Sequence, residues 1–146
     1  MNKTASEAVA FIRDLRERVP ASPHADVVIA PPFTALESAR NALGPSPWIS
    51  LGAQDLHWEE QGAFTGEISA PMLRDLGCRY VIVGHSERRT LFGERDEAIQ
   101  KKVQTALKHG LSPILCVGES LTDREAGLTE SVVTAQISIS LTGLTR

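Results

Sequence analysis

Tyr80-Val81-Ile82-Val83-Gly84-His85-Ser86-Glu87-Arg88-Arg89 carries an unbroken apolar run into a glycine and then into polar and charged residues. The run reads as a buried strand, because it has no polar alternation that would leave one face in water. A helix is predicted further along, where Ile99, Val103, Ala106 and Leu107 recur at helical spacing, Glu97 and Lys101 can pair, and Gly110 ends the element.

The same alternation extends outward in both directions. Upstream, Ala70-Pro71-Met72-Leu73-Arg74-Asp75-Leu76 reads as a short helix with proline near its start and Gly77 at its end. Trp48-Ile49-Ser50-Leu51-Gly52-Ala53 reads as a strand and residues 34–43 as an amphipathic helix. Val27-Val28-Ile29-Ala30 is a further strand, stopped by Pro31-Pro32. Over 4–19, Ala8, Phe11, Ile12, Leu15 and Val19 share one helical face, and Thr4 with Glu7 fits a capping box. Downstream, Pro113-Ile114-Leu115-Cys116-Val117-Gly118 supplies a fourth strand. The last segment suits a helix through Val133, Ile137 and Leu141.

Strands separated by helices of this length are joined by crossovers, so the class is α/β with a parallel sheet of about four strands. The pattern fits an open doubly wound sheet and an arc of a closed barrel equally well. The long loop over 54–69 contains Trp58, Phe64 and Thr65, and loops of that length are commonly functional or interface-forming.

The chain has 146 residues, 42% of them hydrophobic, with 15 Lys+Arg against 18 Asp+Glu. That suits one domain over 1–146, and a formal charge of -3 gives no electrostatic case for nucleic acid or an anionic membrane. No apolar stretch approaches a membrane span and no secretory signal follows Met1, so a cytoplasmic location is expected. Cys78 and Cys116 have neither disulfide-framework nor zinc spacing and read as reduced thiols.

Parallel sheets bind ligands beyond the carboxyl ends of their strands, which directs attention to Pro31-Pro32, Gln54-Asp55, His85-Ser86-Glu87 and Gly118-Glu119. His85 is the best chemical candidate there, as a neutral imidazole able to donate a hydrogen bond; Glu87 is a candidate acid or base that could equally pair with Arg88 or Arg89. Ser86 is no hydrolase nucleophile, since Arg88 stands where G-x-S-x-G needs its second glycine. His24, His57, His85 and His109 lack metal-ligand spacing, and no P-loop or G-x-G-x-x-G motif supports a nucleotide. Lys101-Lys102 and Arg88-Arg89 read as solvated helix faces, and Cys116 as a packed strand residue.

Residues 80–89 closely resemble the corresponding segment of the triosephosphate isomerase family, and Gly62-Ala63-Phe64-Thr65-Gly66-Glu67-Ile68-Ser69 resembles that family's third loop. The resemblance continues through Ala30-Pro31-Pro32-Phe33, Gly52-Ala53-Gln54-Asp55 and Ile114-Leu115-Cys116-Val117-Gly118-Glu119, covering essentially the whole chain in family order. It implies part of a (β/α)8 barrel that interconverts dihydroxyacetone phosphate and glyceraldehyde 3-phosphate without a cofactor. By resemblance His85 is the electrophile, Ser86 and Glu87 occupy supporting positions, and Thr65 enters the neighbouring subunit of a homodimer. A small phosphorylated triose is the implied substrate. No metal is implied.

Met1-Asn2 resembles the end of the family's N-x-K-M-N segment, so Lys3 does not match the catalytic lysine. Glu119 and Glu125 do not match the glutamate base. A typical barrel of this kind has about 250 residues, and the expectation is a chain running from the first helix through the fifth. Such a chain is expected to be inactive or severely impaired alone; the alternative is a noncatalytic split-barrel or assembly fragment that needs a complementary polypeptide.

Overall fold

The computed structural model describes residues 1–19, 25–45 and 48–144. Its first helix, α1 (Ala5–Arg18), starts where the Thr4 and Glu7 side chains satisfy each other's backbone N–H groups, the capping box expected from their spacing. Pro20, expected just beyond this helix, lies outside the described residues. Strand β1 (Val27–Ile29) leads through a 3-10 turn at Phe33–Ala35 into α2 (Leu36–Leu43), which packs against α1. Then follow β2 (Ile49–Ala53), the loop over 54–69, α3 (Ala70–Asp75) and β3 (Tyr80–Val83). The remaining elements are α4 (Ser86–Phe92), α5 (Asp96–Lys108), β4 (Ser112–Leu115), α6 (Leu121–Glu125) and α7 (Thr129–Ser140).

The four strands form one parallel sheet in the order β1-β2-β3-β4. Each neighbouring pair is joined through helix, as crossover connections require. Ile49, Leu51 and Ala53 on β2, with Val81 and Val83 on β3, are buried in one core with Leu36, Ala39, Leu43, Leu73, Ile99, Val103 and Ala106 of the helices. This period of two aims one set of side chains at the helical layer. On the other face Val28, Ser50, Tyr80 and Ile82 are half-buried and Ile114 is exposed. The strands are therefore apolar on both faces, and the two central ones, β2 and β3, are fully covered on the helical side.

Several expectations change in detail. Leu107 is exposed, and Lys102 takes its place on the buried side of α5 beside Ile99, Val103 and Ala106. Glu97 and Lys101 form no ion pair among the described residues; the Lys101 ammonium instead lies 5.3 Å from the centroid of the Trp58 ring. Strand β4 stops at Leu115, leaving Cys116 half-buried just beyond it. The helical reading of the last segment holds, with α7 packed against α5 and the Gln100 and Gln104 amides donating to the Thr142 carbonyl at 2.9 and 3.1 Å. No helix among the described residues is long and apolar enough to cross a membrane.

The loop over 54–69 is ordered by its own contacts. The His57 N–H donates to the Ile68 carbonyl at 2.8 Å, closing the loop's base beside an isolated parallel bridge from His57 to Ser69. The His57 ring stacks on Trp58 with 4.2 Å between centroids and meets Phe64 at 4.4 Å. These contacts present Thr65 in an exposed turn.

Candidate functional site

The carboxyl ends of β3 and β4 open into a cleft of about 230 Å³ lined by Gly84, His85, Ser86, Arg89, Cys116 and Glu119, among others. Strand β3 ends because Gly84 adopts φ +74°, a left-handed conformation that turns the chain out of the sheet. The next residue, His85, caps α4. Its Nδ1 accepts a hydrogen bond from the Glu87 backbone N–H at 3.3 Å, and the Glu87 carboxylate Oε2 lies 3.6 Å from the same nitrogen. His85, Ser86 and Glu87 are thus brought together at the strand end. Thr65 lies apart from them in sequence and is not among the residues lining this cleft.

Arg89 lines the cleft. Its Nε donates to the Gly84 carbonyl at 2.7 Å, its Nη2 to the Cys116 carbonyl at 3.2 Å, and its Nη1 to Asp96 at 2.6 Å. The side chain is 16% exposed, so this is not a solvated face. Glu119, which also lines the cleft, is paired with Arg124 at 2.7 Å. A hydrogen bond from its own backbone, then Arg124, holds its carboxyl below the usual carboxylate range. That arrangement suits a fixed ionised carboxylate rather than a proton carrier.

Cys116 contributes its backbone carbonyl to Arg89, while burial pushes its thiol above the ordinary value against a smaller opposing pull from the Arg89 charge. Among the described residues no group of three or more His, Cys, Asp or Glu side chains is placed to hold a metal ion.

A second polar centre lies behind α4. The Lys102 ammonium contacts Asp55 at 2.7 and 2.9 Å and also contacts Glu94, while Arg88 Nε lies 2.8 Å from Asp55 and 3.3 Å from Glu94. Sequence reasoning missed this cluster, reading Lys102 and Arg88 as solvated. The partners come from the loop after β2 and the turn between α4 and α5, too far along the chain for local spacing to reveal them. The apolar periodicity around Lys102 was the available signal, since it lies among residues that face the core.

A family model for triosephosphate isomerase matches residues 1–146. The triosephosphate isomerase of Acetivibrio thermocellus is 54% identical over 144 residues, covering 99% of this chain and 57% of that relative. Those of Alkaliphilus metalliredigens and Aquifex aeolicus are 52% and 50% identical, each over 99% of this chain. The chain spans 57% and 58% of the length of those two relatives. The match along the whole chain selects an arc of the (β/α)8 barrel over the open sheet, and the chain belongs to the triosephosphate isomerase family.

Proposed function

We propose that a protein containing this chain interconverts dihydroxyacetone phosphate and D-glyceraldehyde 3-phosphate through an enediolate, with His85 as the electrophile. The observation that carries this reading is the hydrogen bond from the Glu87 backbone N–H to His85 Nδ1. A ring nitrogen that accepts has no proton of its own, so the neutral imidazole carries its hydrogen on Nε2. An N–H donor of this kind can follow charge developing on either substrate oxygen without trapping the intermediate in an ion pair. In triosephosphate isomerases a neutral histidine polarises the substrate carbonyl while a glutamate moves the proton.

In this reading Ser86 and Glu87 support His85, and Thr65 on its exposed turn enters a second subunit of a homodimer. The substrate is a small phosphorylated triose, and the reaction is a proton shift between adjacent carbons that uses no cofactor. A cytoplasmic enzyme of glycolysis and gluconeogenesis is the corresponding setting. No residue of this sequence matches the family's proton-moving glutamate, so the 146 residues are expected to act only with the remainder of a barrel.

Turnover of dihydroxyacetone phosphate tests this, measured with the chain alone and after mixing with a polypeptide that supplies the relatives' other strands. The chain alone is expected at background and the mixture well above it. Formation of a complex with no turnover would count against the isomerase reading. Turnover by the chain alone would show that another base has been recruited.

A further inference from the structure

Arg89 binds both carbonyls that flank the His85 residue. Its side-chain Nε donates to the Gly84 carbonyl at 2.7 Å, and its backbone N–H donates to the His85 carbonyl at 3.1 Å. Peptide groups are planar, so fixing the Gly84 carbonyl also fixes the His85 nitrogen; fixing the next carbonyl orients the far side of the same residue. On the far side the His85 carbonyl is held by the helical backbone N–H groups of Arg88 at 2.9 Å and Arg89 at 3.1 Å, which any residue there supplies; the Arg89 side chain acts on the Gly84–His85 peptide.

The rest of the guanidinium keeps this clamp in place. Nη2 reaches the Cys116 carbonyl beyond β4 at 3.2 Å, and Nη1 meets Asp96 at the start of α5 at 2.6 Å. One planar group therefore ties together the ends of two strands and the beginning of a helix. A β-carbon at Gly84 would lie 3.1 Å from Arg89 Nη2, 3.2 Å from the Cys116 carbonyl and 3.0 Å from Ile99 Cδ1. The glycine thus admits the guanidinium to the backbone of the residue before His85.

We propose that Arg89 is the positioning residue for the His85 imidazole, holding it in the cleft through the Gly84–His85 peptide with Asp96 as counterion. The proposal rests on the reading of His85 as the electrophile. Lysine cannot replace it, because a single ammonium lacks the planar fork that meets acceptors in several directions.

The test uses the complemented protein, with only the 146-residue chain 15N-labelled, as wild type, Arg89→Lys, Asp96→Asn and Ile99→Val, and follows the His85 imidazole nitrogens by long-range 1H–15N NMR. The wild type is expected to show a protonated Nε2 and a bare Nδ1. Arg89→Lys is expected to average the two ring nitrogens, and Asp96→Asn to produce part of that change. Ile99→Val loosens the packing against Gly84 without touching a polar contact, and is expected to leave the His85 signals as in wild type.

Unchanged His85 resonances in a folded Arg89→Lys chain would overturn the proposal. So would equal averaging in Ile99→Val, which would mark a general packing effect. In the complemented protein Arg89→Lys is expected to lower kcat on the order of 100-fold with KM little changed, the consequence of a displaced catalytic group. Absence of turnover in the complemented wild type would instead count against the isomerase reading, so the two failures are distinguishable.

Discussion

Lys102 and Asp55 form a buried ion pair, the ammonium lying 2.7 and 2.9 Å from the two carboxylate oxygens with the side chains only 4% and 7% exposed. Burial pushes the Asp55 carboxyl above its ordinary value, while Lys102 and then Arg88 pull it back. The pair joins the loop after β2 to α5, with Arg88 linking α4 to the same carboxylate. Lys102→Met leaves Asp55 and Glu94 buried without their common cation and is expected to cost about 3–5 kcal/mol. Urea denaturation measures this; a loss below about 1 kcal/mol would show that the pair is not held dry.

Gly84→Ala is expected to destabilise the chain by about 1–3 kcal/mol. The backbone there is left-handed at φ +74°, and a methyl group would crowd Ile99, Arg89 and the Cys116 carbonyl at 3.0, 3.1 and 3.2 Å. Thermal or urea unfolding of the variant checks the loss, and wild-type stability would contradict the crowding.

Much of the fold was legible because strand and helix periodicities depend on residues close together in sequence. The Thr4–Glu7 cap and the four apolar runs act locally; the cap and all four strands form, with the fourth ending at Leu115, short of the expected Gly118. His85 was legible for a related reason, since position at a strand end follows from the order of elements. The roles of Lys102, Arg88 and Arg89 were not, because a charge reads as solvated until a distant partner is brought to it. Asp55 is 47 residues from Lys102 and the Cys116 carbonyl 27 from Arg89, separations that no helical or strand period reaches.

Glu60 straps the long loop to the end of α5, with Lys108 at 2.5 Å and His109 Nε2 at 3.0 Å from Oε1. The hydrogen bond from Lys108, then the His109 contact, lowers the Glu60 carboxyl below its ordinary value of 4.5. A carboxyl depressed by folding stabilises the fold above its unfolded value, and that contribution disappears as pH falls through the lower folded value. Below pH 4.5, Glu60→Gln is therefore expected to lose stability less steeply than wild type. Parallel stability–pH profiles for the two chains would contradict the strap.

The two thiols should differ in reactivity. Burial pushes the Cys78 thiol up to about 11, whereas Cys116 is only half-buried at the cleft. In the native chain iodoacetamide is expected to alkylate Cys116 well before Cys78, because reaction needs an accessible thiolate. Peptide mass mapping against time checks the order, which equal native rates would contradict. Unfolding in urea should bring the two rates together.

Steady-state turnover of dihydroxyacetone phosphate by the complemented protein, with and without His85→Gln, reads out the role of His85. In His85→Gln kcat is expected to fall on the order of 100-fold or more while KM changes little, since the imidazole acts chiefly on charge that develops during reaction. An unchanged kcat in a folded, assembled variant would contradict the role of His85 as electrophile.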